Sequence, residues 1–561
     1  SAADDPKKTS TISQLLVSML DGFHFQAYTP IHDEPSEGNF ADNLESSQSA
    51  ESLLAFKPTP VGTYLTDNLI PSLLSEIVVE ERGGGVEFLN APMACAIAHL
   101  MAKLKASEME PILPTLISPL SSALRSRLND VRDSARNALA KSALALDTRY
   151  LSYILGEMKT TLDEGFRRHV LTYSVHYIPS IFHRELSNRS WMDSDVVKLA
   201  SDVFLDELLG QVAEQRDAKT SSTAFKEAKT SKGYDAFEIV AASMDFDVGA
   251  LIVFTACKYR LEKATSSRVV HILEEILRRS VVGMASNPEM KINSAFRFIY
   301  KVLEDFVPCC ETDPGKKHGK GKGQTTDHDE ETRGEKVEAT AMVRNAHVLV
   351  EFALKLISQL HVKGRFAESE ENLSMLEPIM KMLPGSLETK YDSLTHVALR
   401  TAQRFMRMDL DSREEVAETV LTTAVRVVAR HGLRHSKEGE DLYQSSLRAC
   451  TAVLSELKKE GESRDYAERK INAFWLGIAI SSFDTDSMEC KTASIAFIRS
   501  VINRRVQLPE VYNAADLIAS NAMKAHSSVI RTQGIALSMA FLLNYPLSNR
   551  RLKQHVNFFI T

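Results

Sequence analysis

At 561 residues, with 44% hydrophobic and 25% charged residues, the chain is longer than a single hydrophobic core supports, so it is either several domains or a stacked array. Its net charge of −7 excludes the strongly basic kind of polyanion binder, whose footprint is a high pI, and leaves only local patches for contact with nucleic acid. The longest apolar run, around Val248 to Cys257, contains Gly249 and falls well short of the about twenty residues a spanning helix needs, so no membrane segment is expected.

The chain opens on Ser1 with a polar stretch and shows no charged region leading into an apolar one, as a secretory signal requires. Both ends read as cuts from a longer protein. Residues 1–62 are expected to be largely irregular, because Pro30, Pro35, Pro58 and Pro60 fall among Ser, Glu and Asp with few periodic apolar positions. Helices are then expected near 68–80 and 89–105, with Gly83-Gly84-Gly85 as a flexible turn between them. A dinucleotide fingerprint would need G-x-G-x-x-G in a βαβ unit.

Asn129-Asp130-Val131-Arg132 is the sharpest local sign. An Asp followed by Val-Arg at the turn into a second helix is a HEAT-repeat pattern, with the Asp expected to cap the helix and Val131, Ala135, Ala138 and Leu139 to pack inward. Helices are expected near 130–146, 148–160, 163–178 and 192–209. His169 and His176 share a face of the third, without a Cys or carboxylate at zinc-ligand spacing. A polar stretch, Gln211 to Lys232, precedes further helices near 266–283 and 289–306.

Residues 311–338 carry Lys316, Lys317, Lys320, Lys322 and Lys336 and no apolar residue before Val337. They are expected to form a disordered charged linker between a first solenoid half, 63–310, and a second, 339–561. Within the linker, Gly315, Gly319, Gly321 and Gly323 lack the G-x-x-x-x-G-K-[ST] spacing, and no strand precedes them, so no phosphate loop is formed.

Beyond the linker, Leu349, Phe352, Ala353, Leu356 and Leu360 recur at helical spacing, with Lys355 and Gln359 on other faces. Helices are expected near 341–360, 388–408, 411–431, 440–459, 464–480, 485–503, 508–524 and 527–544. The last opens on Ser528-Val529-Ile530-Arg531, a second copy of the HEAT pattern with Ser as the expected cap and Ile535, Met539 and Leu542 as its apolar face.

Helices of this length joined by short links pack as antiparallel hairpins, and a chain this long holds roughly twelve two-helix units. The expected fold is therefore all-α, an α-solenoid of HEAT-like helical hairpin repeats. Cys95, Cys257, Cys309, Cys310, Cys450 and Cys490 show neither CxxC nor paired spacing, and no G-x-S-x-G or H-E-x-x-H occurs. No catalytic, metal or cofactor site is expected, and no small-molecule substrate. Basic residues near helix ends, Arg167, Arg168, Arg278, Arg279, Arg504, Arg505, Arg550, Arg551 and Lys553, are the candidate contacts for RNA phosphates or partners. Basic side chains also favour the last turn of any helix, where they offset its dipole.

The stretches Ala135-Arg-Asn-Ala-Leu-Ala-Lys, Tyr150-Leu-Ser-Tyr-Ile-Leu-Gly-Glu-Met-Lys and Gly165-Phe-Arg-Arg-His-Val-Leu-Thr-Tyr-Ser-Val-His resemble a family of very large HEAT-repeat proteins. It is the U-three small nucleolar RNA-associated protein twenty, or DRIM, family of the small-subunit processome. Ala228-Lys-Thr-Ser-Lys-Gly-Tyr-Asp-Ala-Phe-Glu-Ile, Asn345-Ala-His-Val-Leu-Val-Glu-Phe-Ala-Leu-Lys-Leu and Leu543-Asn-Tyr-Pro-Leu-Ser-Asn-Arg-Arg-Leu-Lys-Gln-His are similar to later blocks of that family, in the same order. The resemblance implies a nucleolar scaffold in ribosome biogenesis that supports 18S pre-rRNA processing. Its implied partners are processome proteins, a small nucleolar ribonucleoprotein and pre-ribosomal RNA. Architecture alone leaves a HEAT-repeat adaptor or nuclear-transport-type protein-binding scaffold as the alternative, and the helical region of a giant kinase as a third reading.

Overall fold

The computed structural model describes residues 27–30, 56–81, 85–164, 167–210, 231–311, 331–431, 437–456, 473–484, 486–506 and 508–560, with Thr11, Leu15, Ser18, Met19 and Glu227. Most of the segment expected to be irregular, 1–62, lies outside these residues. Inside it, however, β1 (Tyr28–Pro30) pairs antiparallel with β2 (Phe56–Pro58), Tyr28 opposite Pro58. Next come α1 (Pro60–Tyr64), a π turn at Leu65–Leu69 and α2 (Ile70–Leu74). The helix expected over 68–80 therefore stops early, and β3 (Val78–Glu81) pairs with β4 (Gly85–Leu89). Val78, Val79 and Val86 are β-branched and flank three glycines, a hairpin composition that the helical period concealed. Gly83 and Gly84 lie outside the described residues; the segment joins two strands, not two helices.

The remaining described residues are mainly helical, and the chain divides into two compact units, residues 1–256 with 286–289, and residues 257–285 with 290–561. The division expected at 311–338 falls inside the second unit. There a helix already runs from Glu331, while residues 312–330 lie outside the described residues.

In the first unit, α3 (Ala91–Met101) and α4 (Leu113–Ala123) are followed by α5 (Asn129–Leu146), α6 (Leu151–Thr161), α7 (Arg167–Glu185), α8 (Ser194–Leu209) and α9 (Gly233–Ser243). α3, α5, α7 and α9 touch in succession as one layer, and α4, α6 and α8 form the other. This is an α-solenoid of HEAT-like hairpins, α4–α5, α6–α7 and α8–α9, with the core between the layers. α4 went unnoticed in the sequence because Pro114 and Pro119 interrupt its pattern. Pro114 sits at the start of the helix, where its missing N–H costs nothing, and Pro119 is tolerated inside it.

α10 (Phe246–Lys263), α11 (Ser267–Ser286) and α12 (Ile292–Glu311) lead to α13 (Glu331–Val362), α14 (Glu370–Lys381) and α15 (Asp392–Phe405). α16 (Arg413–His431), α17 (Lys437–Glu456), α18 (Ala473–Phe483), α19 (Met488–Asn503), α20 (Pro509–Met523), α21 (Ser528–Asn544) and α22 (Asn549–Ile560) complete the chain. Within the second unit α13, α15, α17, α19 and α21 succeed one another in one layer, each the second helix of its hairpin. The stripe read on α13 is its core face: Leu349, Ala353, Leu356 and Leu360 are all fully buried.

The two HEAT signatures share a geometry that their sequences only hinted at. Arg132 Nη1 donates to the carbonyls of Ser126 and Arg127, six and five positions before it. Arg531 Nη1 donates to those of Ala525 and His526, again six and five positions back. Each arginine thus satisfies carbonyls of the link that ends the preceding helix, groups that have no intrahelical partner. The expected caps do not form. The N-cap positions are Leu128 and Ser527, neither with a side-chain cap, and Asp130 lies in the first turn instead. There its charge favours the helix N-terminus without a cap bond.

The inward faces are rotated from those expected. On α5, Ala135, Ala138 and Leu139 are buried but Val131 is not, because Arg132 takes the inner position. On α21, the buried positions are Ile530, Gly534, Leu537, Ser538 and Phe541, while Met539 is 51% exposed. Gly534 sets this rotation: a Cβ there would stand 2.6 Å from Ala522 Cβ on α20. Gly534→Ala should therefore push α20 and α21 apart and lower stability by about 1–3 kcal/mol, the usual penalty of overpacking. A denaturation midpoint unchanged from wild type would contradict that close approach.

Candidate partner-binding surface

Most of the cations singled out in the sequence are engaged by neighbouring groups of their own unit. Arg168, at the N-terminus of α7 rather than in a last turn, is engaged by Asp163 and Asp206. Arg278 and Arg279 lie inside α11, not at its end, and both pair with Glu275. Its carboxyl is held below the usual range chiefly by the Arg278 hydrogen bond. Arg504 donates to the carbonyl of Leu454. Arg505 follows α19 with φ 56°, the left-handed conformation that closes a helix, and reaches Asn544. Arg551 pairs with Asp516 at 3.1 Å and lies over the Tyr512 ring. That leaves Arg167, half-buried, with Arg550 in the first turn of α22 and Lys553 just beyond it, both exposed. Their side chains meet no ion-pair or hydrogen-bond partner among the described residues.

A different site emerges where the second-helix layer of unit 2 is grooved across α11, α13, α15 and α17. The groove encloses about 690 Å³. α15 supplies one wall through Asp392, His396, Arg400 and Arg404, spaced four apart so that all lie on one helical face. α13 supplies Glu351, Lys355, Ser358 and Gln359. Val281 of α11, Val397 of α15 and Leu442 of α17 give it an apolar floor, and Asp441 closes it beside Leu442.

Its polar groups are held in place by the helices beneath. Arg404 Nη1 donates to the Ser358 carbonyl at 2.8 Å, and the Ser358 and Thr401 hydroxyls meet at 3.1 Å. Ser445 Oγ lies 2.7 Å from His396 Nδ1. Burial, reinforced by Arg400, keeps that imidazole below its ordinary pKa, partly opposed by Asp441 and Glu351. The Arg404 guanidinium is likewise lowered by burial and then by the neighbouring Arg400 charge. Arg400 is exposed. Lys355 Nζ donates to Glu351 Oε2 at 2.7 Å, whereas Glu351 Oε1 is buried without a hydrogen-bond partner among the described residues, on a side chain only 7% exposed. Such an oxygen is costly unless a donor reaches it.

Of the candidate contacts read from the sequence, Arg278 lines this groove; the groove itself was not legible because its residues come from four helices and each, taken alone, is part of an ordinary polar helix face. The i, i+4 spacing of Arg400 and Arg404 was the available signal. Among the described residues no group of three or more His, Cys, Asp or Glu is placed to hold a metal, and no helix is long and apolar enough to cross a membrane. All six cysteines are free, with burial pushing the Cys257 thiol up to about 12.

Comparison with known proteins returns the same relatives along most of the chain. The family model described as the U3 small nucleolar RNA-associated protein 20 domain, UTP20, matches residues 83–303. The U3 small nucleolar RNA-associated protein 20 of Schizosaccharomyces pombe is 24% identical over 563 aligned residues, covering 99% of this chain. The chain is UTP20-like. The Saccharomyces cerevisiae protein of the same name is 25% identical over 506 residues and 89% of this chain. The UTP20-like chain spans 21% and 19% of those two relatives, about a fifth of their length. Among solved structures, the karyopherin Kap121p bound to the SUMO protease Ulp1p aligns with 86% of the UTP20-like chain and 44% of its own, at TM-score 0.40 and 12% identity. Importin beta aligns with 96% and 63%, at TM-score 0.31 and 12% identity.

Proposed function

We propose that the chain is part of a non-catalytic scaffold in ribosome biogenesis, acting in the nucleolus within the small-subunit processome and supporting 18S pre-rRNA processing and assembly. The observation that carries this reading is the collinear match over 99% of the chain to a protein named for its association with U3 small nucleolar RNA. Physical reasoning supports the scaffold role. A stack of hairpins buries its apolar faces between layers and presents a long surface on which many weak contacts act together. Its partners in this reading are processome proteins, the U3 ribonucleoprotein and pre-ribosomal RNA. Arg167, Arg550 and Lys553 are the phosphate contacts, since the remaining candidate cations are engaged by neighbouring groups of the fold.

The test is depletion of the full-length protein followed by rescue. Mature 18S rRNA should fall relative to large-subunit rRNA, with 18S precursors accumulating, and the tagged protein should sediment with U3 small nucleolar RNA. An unchanged ratio of the two ribosomal RNAs would overturn the reading. For the contacts, Arg550→Ala with Lys553→Ala should weaken ultraviolet crosslinking to precursor RNA and lower the salt dependence of binding by about two released counterions. An unaltered salt slope would remove these two from the interface.

A further inference from the structure

We propose that the groove across α11, α13, α15 and α17 receives a protein segment of mixed charge, its acidic side chain seated on Arg400 and Arg404 and its basic side chain against Asp392 and Asp441. The inference deepens the scaffold reading and rests on it only in taking the occupant to be a partner rather than a substrate.

Three features of the groove select this occupant. The charges are separated along α15: Asp392 begins the helix, His396 follows one turn on, and Arg400 and Arg404 occupy the next two turns. Asp441 of α17 lies one turn before Ser445, whose hydroxyl meets His396, and Glu351 of α13 lines the same groove. With Arg278 and Lys355 already paired to Glu275 and Glu351, the remaining charges leave one end acidic and the other basic. An RNA strand carries one negative charge per nucleotide, so its backbone would gain at Arg400 and Arg404 and meet carboxylates immediately beyond them. A protein segment escapes the conflict by changing sign along its length.

The second feature is the floor. Val281, Val397 and Leu442 offer a strip for an apolar side chain between the charged ends, the arrangement of an apolar core with a polar rim typical of protein interfaces. The third is Glu351 of the groove wall, whose Oε1 is buried without a hydrogen-bond partner among the described residues; a turn of the carboxyl group toward a guest N–H would satisfy it. Two guanidiniums one turn apart suit a carboxylate, which they grip through parallel N–H donors.

The distance between the charged ends sets the guest's pattern. From Asp392 to Arg400 is two turns of α15, about 12 Å at the helical rise. A helical guest spans this with about eight residues between its basic and acidic side chains, and an extended guest with about four.

Selection of a displayed library of random peptides, roughly sixteen residues long, on the immobilised 561-residue chain tests the proposal. The selected peptides, made synthetically and labelled, are titrated against wild type, Arg400→Glu and Arg400→Ala by fluorescence anisotropy. The expected result is a basic and an acidic residue at one of these two spacings, at least tenfold weaker binding to Arg400→Glu, and recovery of that binding when the peptide's acidic residue is replaced by Lys. Arg400 is exposed, so both variants should keep the wild-type circular-dichroism melt. Peptides that bind all three proteins equally, or a library that yields no binder, would overturn the proposal. So would an oligoribonucleotide of similar length that binds wild type and is lost on Arg400→Glu, since that would assign the groove to RNA. An unaltered 18S ratio on depletion would overturn the scaffold reading while leaving these peptide affinities as measured.

Discussion

Replacing Glu227 by Ala is expected to lower the stability of the first unit by about 3–5 kcal/mol, the range found when one partner of a buried ion cluster is removed. Glu227 is 2% exposed and sits between Arg132 and Arg136, 0% and 2% exposed. Its Oε2 lies 2.7 Å from Arg132 Nη2 and its Oε1 2.9 Å from Arg136 Nη2. Arg136 is further fixed by Ser174 at 3.0 Å and lies over the Tyr173 ring at 4.5 Å. Without the carboxylate, two guanidiniums share a dry site in which the partly exposed Asp133 of α5 pairs with Arg136. Chemical denaturation of Glu227→Ala measures the loss; a change below about 1 kcal/mol, typical of exposed pairs, would mean that water reaches the cluster.

The same cluster has a pH signature. Burial raises the Glu227 carboxyl, but hydrogen bonds and charge from Arg132 and Arg136 overcome this and hold it down to about 2, from an ordinary 4.5. Its stabilisation is therefore complete above about 4.5 and is lost as pH falls through about 2. His176 acts in a higher window. Burial, with Lys232 adding to it, lowers its imidazole to about 4 from an ordinary 6.5. The unfolded chain takes up that proton first, so stability declines on acidification from 6.5 to about 4. Glu227→Ala should flatten the lower window and leave the upper one; a profile that loses both would tie His176 to the cluster.

Phe541→Ala should cost about 3–5 kcal/mol, the usual loss for a buried phenylalanine. The ring is fully buried. It has Tyr512 at 5.5 Å, Tyr545 at 5.3 Å and His555 at 5.2 Å from its centroid, so it joins α20, α21 and α22. Tyr545 in turn donates to the Val506 carbonyl at 2.6 Å. Because each hairpin of a solenoid contacts only its neighbours, the damage should be local. Hydrogen exchange should quicken in α20 to α22 and stay near wild type in α13 and α15. Uniform acceleration along the unit would show that its hairpins unfold as one block.

Local chemistry made much of the fold legible. Leu349 to Leu360 announced a buried helix face, and Arg132 and Arg531 marked the start of second helices. What those arginines bind was not legible from the signature, since the capping role fell naturally to Asp130 and Ser528 beside them. Glu227 was hidden more deeply: it lies in a polar stretch, Gln211 to Lys232, and its partner Arg132 is 95 positions away. β3 and β4 escaped because a short valine-rich strand carries the same apolar residues as the end of a helix. The groove escaped because Glu351, Arg400 and Asp441 converge only when successive hairpins stack.

The carbonyl contacts of Arg132 and Arg531 bear on where this chain tolerates alteration. Surface links between helices are ordinarily the places to insert an affinity tag, a fluorophore or extra residues. Here the links 124–128 and 524–527 are wired to the arginine that follows, at a fixed offset of five and six positions. Lengthening the first would strand a guanidinium that has no exposure to water. The link after α13 is built differently: Gly364 holds φ 63° with open space where a side chain would go. Between these superficially equivalent connections, 363–364 is the one to engineer, and the two arginine-bound links are as intolerant of added length as the helices they join.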